Sequence, residues 1–145
     1  MNSPAPKISV SLYLHGHDLE PEEITALLET QPTQQHRMGA QKTTSSGRIV
    51  TYKSGLWAIV PECESVNMDD HVALLIEMTH PLRSAIRTKH LSLSELPGVE
   101  RAYLDIFFIE LKDETSEHEQ RFDLSAASVQ RLVEFGVPIA FTIGY

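Results

Sequence analysis

Twice along this chain an apolar strand pattern is followed, after a turn, by a short amphipathic helix pattern. That recurrence limits the fold more than any other feature. In the first copy Ile8, Val10, Leu12 and Leu14 alternate with Ser9, Ser11 and Tyr13, so one face of an extended segment is apolar. Gly16 ends the run, and Asp18-Leu19 leads into Pro21, Glu22 and Glu23. Proline suits a first helical position, where the missing N–H costs nothing, and carboxylates suit the positive end of the helix dipole. Ile24, Leu27 and Leu28 then supply the i, i+3, i+4 stripe of a helix packed on a sheet.

In the second copy Arg101 to Leu111 reads as a strand, and Ile106-Phe107-Phe108-Ile109 is apolar on both faces, as in a central strand. Asp123-Leu124 leads into a helix over Ser125 to Phe135 with Val129, Leu132 and Val133 on its apolar side. Asp123 or Ser125 supplies the cap and Gly136 the stop. Val137 to Tyr145 is a final strand. Between the copies lies a helical pattern from Met68 to about Lys89, with Asn67 as cap and Pro81 expected to kink or split it. Gln31 to Gln41 reads as a loop with one short extended piece, and Thr43 to Gly47 as a polar turn. Arg48 to Lys53 and Leu56 to Val60 read as a hairpin, or as one long strand bulged at Gly55.

Two strand–helix–strand units joined by a longer helix predict an α+β fold. The expected form is a ferredoxin-like split βαβ sandwich, with a mainly antiparallel sheet and helices on one face. With 145 residues the chain is expected to form a single domain, 1–145.

The net charge is −8. Nucleic-acid binding needs a dense basic surface to release counterions from phosphate, so no nucleic acid is expected as a partner. An anionic membrane surface repels the chain in the same way, and no stretch approaches the roughly 20 apolar residues of a membrane span. The single cysteine, Cys63, cannot form an internal disulfide, which suits the cytoplasm.

The stretch Leu28-Glu29-Thr30-Gln31-Pro32-Thr33, then Arg37-Met38-Gly39, then the isolated Leu56-Trp57, resembles the bacterial domain of unknown function 4279 family. Asp18 to Thr25 and the closing Ile139 to Tyr145 fit the same resemblance, which covers nearly the whole chain. It implies a small α+β bacterial domain that usually stands alone. It carries over no catalytic residue.

Four groups of residues are candidates for chemistry. His36, Arg37 and Lys42, with Arg48 and Lys53, form a basic segment with no acid between Glu29 and Glu62. Such a segment can dock a phosphate or carboxylate, Arg37 gripping it bidentately, or it can serve internal attraction to carboxylates elsewhere. Glu110, Asp113, Glu114, Glu117 and Glu119, with Asp123, face only Lys112 and Arg121. Six acids against two bases leave −4, half of the whole-chain charge, and such a run can steer a basic protein partner. His15 and His17 flank Gly16 beside Asp18, a spacing that suits two metal ligands on one side of an extended chain. Trp57, the one tryptophan, is expected in the core with its N–H bonded.

No P-loop, dinucleotide fingerprint, Gly-x-Ser-x-Gly or His-Glu-x-x-His occurs, so neither catalytic residues nor a cofactor are expected. The expected function is a non-enzymatic protein-binding domain. Its most concrete form is a cytoplasmic immunity protein that neutralises a basic toxin by covering its active site. One alternative is a small-molecule (anion) binding or regulatory module, and a second is a metal-dependent enzyme built on His15, His17 and Asp18. A homodimer paired through its sheets is a further expected partner arrangement.

Overall fold

A computed structural model describes residues 7–109 and 122–144. In chain order the elements are β1 (Ile8–Gly16), α1 (Pro21–Leu28), β2 (Gln34–His36), β3 (Gln41–Thr43), β4 (Ile49–Thr51) and β5 (Gly55–Ile59). They continue with α2 (Met68–Met78), α3 (His80–Lys89), β6 (Arg101–Ile109), α4 (Ala126–Val133) and β7 (Ile139–Gly144).

The five-stranded main sheet runs β2-β5-β1-β6-β7. Here β1 is antiparallel to both neighbours, β5 and β6, and β2 is antiparallel to β5. The β6–β7 pair is parallel, so the sheet is mixed rather than uniformly antiparallel. The physical reason is the helix between them: α4 carries the chain back to the end where β6 began, and a strand entered from that end runs parallel.

The alternation predicted for β1 sets the core. Ile8, Val10, Leu12 and Leu14 are buried, and they cluster with Ile24 and Leu28 of α1, Val72 and Leu75 of α2, Leu82 of α3 and Leu132 of α4. Across the sheet Trp57 stands beside Leu14 and Leu104 beside Leu12, so the same face is apolar on three adjacent strands. All four described helices therefore contribute to one layer on one sheet face.

Pro81 does split the long helical pattern. One helix ends at Met78 and the next begins at His80, with the Thr79 hydroxyl donating to the Leu75 carbonyl at 2.6 Å and the Arg83 guanidinium to the Ile76 carbonyl at 3.0 Å. These bonds satisfy carbonyls that the break would leave unpaired. At α4 the cap is Ser125, whose hydroxyl accepts from the Ser128 N–H at 3.1 Å, and the Ser125 N–H in turn donates to Asp69 at the start of α2. The bond from that backbone N–H, seconded by the Ser128 hydroxyl, holds the Asp69 carboxyl below its ordinary range.

One expectation about the middle of the chain needs correction. The segment after Arg48 does not pair with β5. It pairs with Gln41–Thr43, giving a separate two-stranded hairpin of β3 and β4. The turn explains this: the Gly47 N–H donates to the Thr44 carbonyl at 2.9 Å, and glycine accepts the φ of +84° found there.

Candidate functional site on the second sheet face

Residues on a strand that alternate with the core positions point to the opposite face. On β1 these are Ser9, Ser11, Tyr13 and His15, and on β6 they are Arg101, Tyr103, Asp105 and Phe107. The strand register pairs His15 with Arg101 and Tyr13 with Tyr103. On the other side His15 pairs with Leu56 and Tyr13 with Ala58, and β2 adds His36 beside Leu56 and Gln34 beside Ala58. Two rows of four residues thus cross β2, β5, β1 and β6 on the face opposite the helices.

These rows carry rings. Tyr13 and Tyr103 stack with centroids 5.5 Å apart, and His15 lies nearly parallel to Tyr103 at 5.7 Å and 11°. The His15 Nε2 is 3.2 Å from the Tyr103 hydroxyl oxygen, and the Arg101 guanidinium sits 4.4 Å from the Tyr103 ring centroid. Burial, with the nearby charges of Arg101 and His36, pushes the His15 pKa down, so the ring is uncharged at neutral pH. Burial likewise raises the hydroxyl pKa of both Tyr13 and Tyr103, leaving them as neutral phenols.

At the β2 edge His36 stacks face to face on Tyr52, with centroids 3.6 Å apart and planes within 10°. Tyr52 follows β4 and is tied to the strap between β2 and β3: its N–H donates to the Ala40 carbonyl and its carbonyl accepts from the Gly39 N–H. The hairpin is therefore held beside the sheet edge. A pocket of about 630 Å³ lies there, lined by Pro32, Thr33, Gln34, Gln35, His36, Lys42, Tyr52 and Leu56. The lining has a lysine and a histidine but no carboxylate. Burial lowers the His36 pKa.

The basic segment is thus divided. His36 and Lys42 reach the pocket, whereas Arg37 does not. The Arg37 guanidinium lies 2.9 Å from a Glu20 oxygen and 2.5 Å from a Glu22 oxygen at the start of α1. Both contacts fall on one nitrogen, Nη2, so two carboxylates already offset the charge that anion binding at Arg37 would use. Hydrogen bonding to Arg37 also lowers the Glu22 pKa.

The two histidines of the His15-Gly16-His17 spacing diverge. His15 joins the ring cluster, while His17 is exposed with its Nδ1 2.9 Å from a Glu100 carboxylate oxygen. Among the described residues no group of three or more His, Cys, Asp or Glu side chains is placed to hold a metal ion. Trp57 is fully buried and its indole N–H donates to the Thr25 hydroxyl at 3.0 Å, as expected. Glu110, Asp113, Glu114, Glu117 and Glu119 lie outside the described residues. Sequence reading missed Tyr13, Tyr52, Arg101 and Tyr103. For three of them the signal was available: they occupy the alternate positions of β1 and β6, which core-directed reading sets aside.

The fold and this face define a small α+β domain without a recognisable catalytic motif. Residues 6–145 match the family model described as Domain of unknown function (DUF4279), essentially the whole chain. The chain belongs to that family. No curated protein and no solved structure matches it.

Proposed function

We propose that the protein is a non-enzymatic binding domain that captures a small anionic ligand in the pocket between β2 and the β3–β4 hairpin. The observation that carries this is the lining: a polar pocket of about 630 Å³ that contains Lys42 and His36 and no carboxylate, in a chain of net charge −8. The volume falls in the range of small-molecule sites. Among the described residues Lys42 makes no ion pair, so its charge is available to a ligand. Titration calorimetry with inorganic phosphate tests the reading. Lys42→Gln is expected to weaken phosphate binding about tenfold, the value of one charge-assisted hydrogen bond. Its melting temperature should stay unchanged, because Lys42 is exposed. Phosphate that does not bind, or that binds the variant equally well, overturns the proposal.

A second reading is a protein partner, in its sharpest form a basic toxin covered by an immunity protein. Exposed apolar side chains favour it: Phe141 and Ile143 on β7 are 66% and 48% exposed, and Val129 and Val133 on α4 are also exposed. The carboxylates of Glu110, Asp113, Glu114, Glu117 and Glu119 would steer the encounter. With a cognate toxin, association should slow as salt rises, and the pair Glu117→Lys and Glu119→Lys should slow it further. An association rate indifferent to both removes this reading. The lone Cys63 supports a reducing compartment, the cytoplasm, for either reading.

The finer fold class is also a proposal. The order β2-β5-β1-β6, with α1 between β1 and β2 and the α2–α3 pair between β5 and β6, supports a ferredoxin-like split βαβ core. In that reading α4 and β7 are an addition at the β6 edge.

A further inference from the structure

The row that contains His36 continues past the pocket. His36, Leu56, His15 and Arg101 stand side by side on four adjacent strands of one face. Neighbouring strands are about 4.8 Å apart, so the row spans about 14 Å from its first residue to its last. Within the row the residue beside His36 is the apolar Leu56, which also lines the pocket. Past Leu56 come the rings of Tyr13, His15 and Tyr103, whose planes lie within 11° to 27° of one another. The row ends at Arg101, whose guanidinium lies over Tyr103. Asp105, the carboxylate nearest these rings on β6, accepts a hydrogen bond from the Thr142 hydroxyl at 2.7 Å.

A cation at a polar pocket, an apolar residue in the row and a group of near-parallel rings call for two features in one ligand. One is an anionic group and the other is a flat π-system. We infer that the ligand is an anion bearing a flat heteroaromatic ring, of the nucleoside monophosphate class, with phosphate at Lys42 and base over the Tyr13, His15 and Tyr103 rings. This inference rests on the anion reading of the pocket. Base–aromatic stacking supplies affinity with little dependence on which base is present, because every base has a π-face. A free mononucleotide fits better than a nucleic-acid strand. A strand brings many phosphates to a chain of net charge −8, whereas one phosphate matches the single lysine of the pocket lining.

Titration calorimetry on the intact chain with three probes tests this: inorganic phosphate, adenosine monophosphate and hexauridylate. Adenosine monophosphate is expected to bind about tenfold more tightly than phosphate, the contribution of one stacked base. Tyr103→Leu should bring the nucleotide back to the affinity of phosphate and leave phosphate itself unaffected. Tyr13→Leu provides the same comparison where Tyr103→Leu does not melt cooperatively. Lys42→Gln should weaken both probes. A nucleotide that binds no better than phosphate, or that ignores both tyrosine variants, overturns the inference while the anion pocket stands. Failure of both phosphate and nucleotide to bind overturns both proposals. Hexauridylate binding more tightly than the mononucleotide overturns the mononucleotide assignment and points to a strand.

Discussion

Gly16→Ala is expected to abolish cooperative folding. A methyl group built at Gly16 would sit 1.7 Å from the Gly98 carbonyl oxygen and 3.2 Å from the Glu100 nitrogen. Both are backbone atoms, so no rotamer change relieves the clash. The contact is built into the sheet, because the Glu100 N–H donates to the His15 carbonyl at 2.8 Å and brings the two segments together. Gly98 has the complementary restriction: its φ is +77°, and a methyl there would meet the Asp18 carbonyl oxygen at 2.6 Å. Ordinary overpacking costs about 1–3 kcal/mol through side-chain adjustment, and a backbone clash costs more. Domains have only about 5–15 kcal/mol in total, so the variant should show no cooperative melt by circular dichroism. Gly39→Ala is the control. Its φ of +86° costs about 1–2 kcal/mol, yet the space around it is open, so that variant should still fold. A Gly16→Ala protein that melts within a few degrees of the parent would refute this account of the β1 end.

Trp57→Ala is expected to destabilise the protein by about 3–5 kcal/mol, the usual cost of truncating a large buried aromatic. The ring is fully buried on β5 beside Leu14 and seats its N–H on the Thr25 hydroxyl. Thr25→Val separates the two contributions. It keeps the shape but leaves the indole N–H unpaired in the core, at a cost of about 1–3 kcal/mol. Denaturant unfolding followed by circular dichroism measures both. A loss below about 1 kcal/mol for Trp57→Ala would mean that the indole is not the packing centre between α1 and the sheet.

How much of this was legible depends on what each segment buries. β1, α1 and the break near Pro81 were readable because their apolar side chains face the same core, and burial imposes a period on sequence; α4 was read only in part, since Leu132 is buried as expected while Val129 and Val133, expected beside it, are exposed. The β3–β4 hairpin was not. Every residue of both strands is exposed, so no burial pattern marks them, and only the turn at Gly47 hints at the pairing. Arg37 was legible as a basic residue but not as one already paired. Glu20 and Glu22 looked like dipole partners of α1, and the turn that brings Arg37 back over that helix start depends on tertiary placement. The ring cluster was hidden for a similar reason. Tyr13 and Tyr103 are 90 positions apart in sequence and meet only because β1 and β6 pair in this register. His36 and Lys42 were found from charge alone, and their common pocket depends on the hairpin that sequence reading misplaced.

The position of β1 between β5 and β6 also affects how quickly the molecule can form. Its eight paired positions with β6, from Ile8 opposite Phe108 to His15 opposite Arg101, join segments about 90 residues apart or more. Closing so wide a loop costs chain entropy before any pairing rewards it. The rate-limiting step should therefore be the arrival of β6 at an edge already prepared by β1, α1 and β5. Variants along β6 should slow refolding, while variants in the β3–β4 hairpin should leave that rate untouched.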